Sequence, residues 1–376
     1  MAPASLFPGI HIEELPTPVK TIAGVATGIT AFVGGARRGA VNKAMHVPSF
    51  AEFERIFGGL MAGAELGYAV RQFFLNGGTD ALVVRIAQRA SEAQALKGLR
   101  ALDRVDFFNL LALPGITEPR ILASAADFCR ERRAFLLIDP PEKTPAPAEL
   151  EQLVQSGALP KTSFAAMYFP WTTIADPLSG QPRAIPPSGS IAGLIARTDR
   201  TQGVWKAPAG TAATLAGVSG LARKFTDAQL ARLTPLGINA LRVLPSGQVV
   251  VWGARTLAGT DVSGSEWKYL PVRRLGLFIE ESIRRGTKWA VFEPNGEPLW
   301  ALLRRSVGAF LDSLFRAGAL PGDTPRDAYF VKCDAQTMTA ADIAAGLFSV
   351  QVGFAPLKPA EFIVLTVRQP TASAPR

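Results

Sequence analysis

Asp106 to Pro141 reads DFFNLLALPGITEPRILASAADFCRERRAFLLIDPP. DFFNLLALPG is an apolar, β-prone run closed by Pro-Gly, and RILASAADFCRERR has the spacing of a helix. AFLLIDPP is a second apolar run, ending at Asp139 before two prolines. Strand, helix and strand in succession predict a βαβ unit, because a parallel pair needs a crossover long enough to hold a helix. The fold class expected is therefore α/β, or mixed α+β, around a small, partly parallel sheet.

The same alternation extends in both directions. Upstream, TIAGVAT and GITAFVG are short β-prone runs separated by glycines, and DALVVRIA reads as a strand. In SFAEFERIFGG, Ser49 is placed as an N-cap with Glu52 three residues on. AELGYAVRQFFLNGG places Leu66, Val70, Phe73 and Phe74 on one helical face and stops at Asn76-Gly77-Gly78. Downstream come a strand in SFAAMYFPW, a helix in SIAGLIARTDR, and a hairpin-like pair around Pro245-Ser246-Gly247. VRRLGLFIEESIRRGTKWAVFEP predicts an amphipathic helix followed by a strand. The next helix carries Leu303, Val307, Phe310 and Leu314 at helical spacing. DAYFVKCD, LFSVQVGFAP and AEFIVLTVRQ then predict three strands, the last of them close to the end of the chain.

Composition narrows the function classes. Of 376 residues, 48% are hydrophobic and 19% charged, a globular balance with room for more than one core. The net charge of +9 fits nucleic acid, a membrane surface or an acidic protein without choosing among them. Cys129 and Cys333 give no disulfide framework and no metal-ligand spacing, which points to a reducing compartment. The start of the chain lacks the pattern of a secretory signal, and no apolar run has the length of a membrane span. His11 and His46 are the only histidines, and neither sits in a triad or metal pattern. No phosphate-loop or dinucleotide fingerprint occurs among the glycines of residues 24–39 or elsewhere. An α/β enzyme and a basic nucleic-acid-binding protein stand as the competing classes.

The helix from Val272 to about Thr287 is the most informative local feature. Leu275, Phe278, Ile279 and Ile283 form its apolar stripe. Arg273, Arg284 and Lys288 cluster roughly opposite, with Arg274 and Arg285 on a flank and Glu280 and Glu281 as the only acids. Such a face is solvated, docked on an acidic surface, or bound to nucleic acid, although no aromatic stacking platform accompanies it.

Several longer blocks resemble the tail sheath proteins of contractile phage tails, R-type pyocins and extracellular contractile injection systems. They are FPGIHIEELPTPVKTIAGVATGITAFVGGARRG, the central PPSG, RTD and GVWKAPAG signatures, and RRLGLFIEESIRRGTKWAVFEPNGEPLWALLRRSVGAFLDSLFRAGAL. The resemblance implies a multi-domain sheath protomer: an N-terminal extended arm (1–24), a central α/β region (25–250), a tube-facing C-terminal domain (251–358) and a C-terminal strand-exchange arm (359–376). It implies stacked hexameric rings around an inner tube, contraction that drives the tube through a target envelope, and no enzymatic activity. The partners implied are other copies of the chain, an inner tube protein, and baseplate and terminal cap proteins, with no nucleic acid and no membrane insertion. No cofactor or metal is expected. The place implied is the tail sheath of a virion or injection particle assembled in the bacterial cytoplasm. Strand exchange is expected through Thr21, Ile22, Val25, Ile29, Phe32 and Val33 at one end and Phe362, Ile363, Val364, Leu365, Thr366 and Val367 at the other. Arg273, Arg274, Arg284, Arg285 and Lys288 are the expected tube contacts.

Overall fold

The computed structural model describes residues 19–88, 90–141, 146–259, 264–357 and 363–370. The first half of the chain forms β1 (Thr30–Gly35), β2 (Ala44–Val47), α1 (Phe50–Phe57), α2 (Glu65–Leu75), β3 (Ala81–Ile86), α3 (Glu92–Arg100), β4 (Leu110–Ala112), α4 (Pro119–Arg132), β5 (Phe135–Ile138), α5 (Pro147–Gln155), β6 (Ala165–Phe169), β7 (Thr172–Ala175) and β8 (Pro182–Ile185). The second half forms α6 (Ser188–Gln202), β9 (Gly220–Leu221), α7 (Asp227–Ala231), β10 (Ile238–Val243), β11 (Val249–Trp252), α8 (Leu270–Gly286), α9 (Glu297–Arg316), α10 (Pro325–Ala328), β12 (Tyr329–Lys332), α11 (Ala340–Ala344), β13 (Leu347–Phe354) and β14 (Ile363–Pro370).

The βαβ unit forms as read: β4 and β5 are parallel, with Leu110 opposite Phe135, and α4 is the crossover. The sheet is larger than expected. Eight strands lie in the order β11-β10-β6-β5-β4-β1-β3-β2. The pairs β10·β6, β6·β5, β5·β4, β4·β1 and β1·β3 are parallel, and only the edge strands β2 and β11 run antiparallel. Sheets of this kind are covered on both faces. One face buries Val33, Leu111, Leu136 and Met167 under α3, α4 and α5. The other buries Phe32, Leu110, Leu137 and Tyr168 under α2 and α6. The expected boundary at 250/251 falls inside β11, the edge strand of this sheet.

The PPSG signature has a structural reason. Ser188 opens α6, and its amide and hydroxyl donate to the two oxygens of Asp139 at the end of β5, at 2.9 and 2.7 Å. Burial pushes the Asp139 carboxyl up to about 7, against the pull of those donors and of the Gly115 amide. The next residue lets α6 lie directly on α2. A Cβ at Gly189 would stand 2.2 Å from the Ala69 carbonyl, and one at Gly193 would stand 2.3 Å from that of Phe73.

A small sheet, β8-β7-β9, rests against α2. The Tyr68 hydroxyl donates to Asp176 at 2.9 Å, and Arg183 lies over the Tyr68 ring and pairs with Glu65 at 2.6 Å. The third sheet, β12-β13-β14, is antiparallel and packs with α8 and α9 around a separate core. That core holds Leu275, Ile279, Ile283, Leu303, Val307, Phe310, Leu314, Val350 and Val352, so the apolar stripes read from the helical spacing are the buried ones. Two local expectations are corrected. TIAGVAT forms no strand. The strand expected in TKWAVFEP is a 3-10 turn, Lys288–Phe292, because the short connection to α9 leaves the segment no neighbouring strand.

Gly189→Ala should destabilise the protein by about 1–3 kcal/mol in urea unfolding, the usual range for overpacking. Gly308→Ala is the contrast. Gly308 lies inside α9 with no atom within 4 Å of the position of a Cβ, so alanine there should be neutral or stabilise by up to about 1 kcal/mol.

Candidate functional site

α8 was read as the helix that docks a partner, and the structure surrounds it. One side packs on α9 and the third sheet through Leu275, Ile279 and Ile283. Another reaches the eight-stranded sheet's helical layer through Leu270 and Leu277. The N-terminal segment runs antiparallel along it. Ile22 lies against Gly286, the Val25 amide donates to Ser282 Oγ at 3.1 Å, Gly24 abuts Phe278, and the Thr27 carbonyl accepts from Arg274. A Cβ on Gly286 or Gly24 would collide with Ile22 or Phe278, so bare backbone is what permits this closeness.

The expected cationic face is taken apart by this packing. Arg274 is 4% exposed and forms a two-pronged ion pair with Asp199, of the RTD signature, at 2.7 and 2.6 Å. Its Nη2 also donates to the Thr27 carbonyl at 2.8 Å. Arg273 is 8% exposed, 3.5 Å from the centre of the Trp267 ring, and donates to Ser163 Oγ at 2.7 Å. Burial lowers its guanidinium to about 10, still charged at neutral pH. Both are therefore corrected from surface contacts to residues enclosed by the subunit.

Arg284 and Arg285 are half-buried and converge on Glu281, each with a bond of 2.6 Å. Burial alone would raise the Glu281 carboxyl, but these two guanidinium groups hold it below its ordinary value. Arg285 also grips Asp106 at 2.7 and 2.9 Å, which raises its own pKa, and Arg133 pairs with Glu280 at 2.6 Å. Asp106, Arg133 and Asp199 all belong to the central region, so α8 is fastened to it at three places. Among the five expected cations, Lys288 is the exposed one.

The expected strand donors fall out differently. Thr21, Ile22 and Val25 lie in the segment that runs along α8 and forms no strand. The Ile29 amide donates to Asn109 Oδ1 at 2.9 Å at the entry to β1. Phe32 and Val33 are in β1, paired on both sides by β3 and β4, and both are fully buried. They are corrected: a strand bonded along both edges of its own sheet cannot be lent to another. Ile363, Val364, Leu365, Thr366 and Val367 belong to β14, which pairs antiparallel with β13 of the same chain. Phe362 and residues 1–18, including His11, lie outside the described residues.

Sequence reasoning missed the partners of the cations, although the RTD and GVWKAPAG blocks mark where they are. Trp205 folds over Gly203, which has φ +95, and Val204 enters the C-terminal core directly after α6. Beside the N-terminal end of α8 lies a cavity of about 510 Å3, lined by Trp205, Lys206, Tyr269, Val272, Leu275 and Leu357 among others. Among the described residues no group of three or more His, Cys, Asp or Glu could hold a metal, and no helix is long and apolar enough to cross a membrane. Cys129 and Cys333 are buried, and His46 pairs with Asp80 at 2.9 Å on the surface.

Comparison with known proteins gives a consistent result. Residues 88–257 match the family described as phage tail sheath protein central domain, and residues 262–369 match the phage tail sheath C-terminal domain. The fold is similar to that of the PVC sheath complex of an extracellular contractile injection system in its contracted state. The TM-score is 0.78 at 32% identity, covering 96% of this chain and 97% of the other. A chain of the anti-feeding prophage baseplate has a TM-score of 0.74 at 30% identity, covering 97% and 99%. The tail sheath protein of Vibrio phage KVP40 is 27% identical over 191 residues, which is 50% of this chain and 27% of that protein's length. These relatives are structural sheath proteins rather than enzymes.

Arg274→Ala should cost about 3–5 kcal/mol in denaturant unfolding, because it leaves Asp199 charged and buried without a partner. Lys288→Ala should stay within about 0.5 kcal/mol of the parent.

Proposed function

The chain belongs to the contractile tail sheath family, and from that premise we propose that it polymerises as stacked hexameric rings around an inner tube. Contraction of those rings drives the tube through a target envelope. The observation that carries the reading is the likeness to a contracted injection-system sheath over nearly the whole of both chains. A likeness of similar extent to a chain in an anti-feeding prophage baseplate supports baseplate contact as well as self-assembly. The inner tube and a terminal cap complete the proposed partners, and assembly takes place in the bacterial cytoplasm before the particle is complete.

The packing of α8 supports a division of labour within such a subunit. The central region and the C-terminal sheet are joined by buried charge and by α8, whose apolar residues enter two separate cores. Links between subunits then fall to the chain ends. β14 is the C-terminal donor, joining a neighbour's sheet by main-chain bonds. At the other end the described segment from Val19 on is already engaged with α8 and α9 and continues into β1, which pairs with β3 and β4. Of the proposed tube contacts, Lys288 and the half-exposed Arg284 and Arg285 remain on the outside. Individually such surface pairs contribute about 0–1 kcal/mol, so they can hold a tube in number and still be replaced one by one.

Negative-stain electron microscopy of the purified chain, alone and with its tube protein, tests the reading. Hollow ribbed cylinders are the expected result, and removal of residues 361–376 should leave a folded subunit that makes no long cylinders. Uniform monomers or dimers under both conditions would overturn the sheath role. Cylinders of normal length from the truncated chain would overturn strand donation.

A further inference from the structure

The last strand is already occupied. β14 lies on β13 of its own chain in an unbroken antiparallel register, from Leu347 opposite Pro370 to Phe354 opposite Ile363. It closes the third sheet at one edge while β12 closes the other. Its backbone also passes beside α8, so it is seated on the subunit's core. Resting on the sheath reading above, we propose that the free subunit is self-capped. β14 fills the site a neighbour's β14 would occupy, and it must leave that site before the subunit can join a polymer.

The connection between the strands is what makes this a two-way arrangement. Residues 355–362 separate Phe354 from Ile363, eight residues for a hairpin whose first pair is Phe354 with Ile363. Hairpin turns commonly use two to five. Eight residues fully extended span up to about 30 Å, enough to carry β14 off its own sheet and onto an adjacent copy. The bonds β14 makes with β13 are the same whichever copy supplies it. Exchange is therefore nearly neutral in hydrogen bonding, and concentration decides it.

A strand tethered by eight residues sees its site at about millimolar effective concentration. Free subunits at micromolar concentration cannot match that, so self-pairing wins by on the order of a thousandfold. Spontaneous polymerisation is suppressed, and the apolar edge of β13 is kept from unwanted pairing. A growing end reverses the balance by holding a second copy where its strand and its vacated edge are both within reach. Self-capping thus confines growth to a template, and the subunit reservoir stays soluble until one is present.

Two double-cysteine variants test this, one for each type of antiparallel pair: Gln351→Cys with Thr366→Cys, and Val350→Cys with Val367→Cys. Directly opposed Cα atoms in such pairs lie about 4.5–5.5 Å apart, within the range a disulfide spans. Both native cysteines are buried, and Cys333 directly follows β12, whose Lys332 pairs with Gln351, so both variants carry Cys333→Ala to leave the engineered pair without a competing thiol. Oxidised, each variant should remain a folded monomer by circular dichroism and sedimentation and lose templated sheath growth. Dithiothreitol should restore growth to the parent rate. Oxidised variants that assemble at the parent rate and length would overturn the proposal. Amide exchange on unaltered monomers covers the case in which locking disturbs the fold. Protection of residues 363–369 is expected before assembly, and rapid exchange there would overturn self-capping. Failure of the parent chain to assemble with any tube or template would instead count against the sheath reading itself.

Discussion

The arrangement of the subunit hangs on one buried ion pair, Arg274 with Asp199. The two side chains are 4% and 3% exposed, and both guanidinium prongs meet the carboxylate. Taking two charges out of water costs several kcal/mol each, and only near-ideal geometry with every remaining donor satisfied offsets it. Here the Thr27 carbonyl takes the further bond. The three groups come from α6, α8 and the segment leading into β1. A pair that tolerates little displacement therefore fixes three parts of the chain relative to one another.

The rest of the architecture follows from that fixation. With α8 set against α6, Arg133 meets Glu280 and Arg285 meets Asp106, and these pairs repeat the same join nearer the surface. The apolar stripe of α8 then faces α9 and the third sheet, so one helix serves two cores. A contractile assembly needs subunits that keep their shape while their neighbours move. The ion pairs of α8 join the parts of one subunit, and in the assembly proposed above mobility between subunits falls to strands that change partners.

Much of this was legible in the sequence, and the exceptions share a cause. The βαβ unit, the apolar stripes of α8 and α9 and the three C-terminal strands were readable because they are set by spacing within one element. The PPSG block was visible as a signature, but its reason, Ser188 bonding to Asp139 and Gly189 lying on Ala69, needs residues 49 and 120 positions away. The α8 cations were read as a face because only their helix was in view. Asp199 is 75 positions from Arg274, and Asp106 is 179 from Arg285. Phe32 and Val33 were read as a lendable strand for the same reason: β-propensity reports that a segment will pair and says nothing of where.

The most direct measurement is a double-mutant cycle on Asp199 and Arg274, comparing Asp199→Ala, Arg274→Ala and the double variant by equilibrium unfolding. If this pair joins the parts of the subunit, the double variant should be far less destabilised than the sum of the singles. The coupling should then be about 2 kcal/mol or more, toward the upper end seen for residues in direct contact. Additive losses, with coupling near zero, would mean that the pair is incidental and that some other contact holds α8 in place.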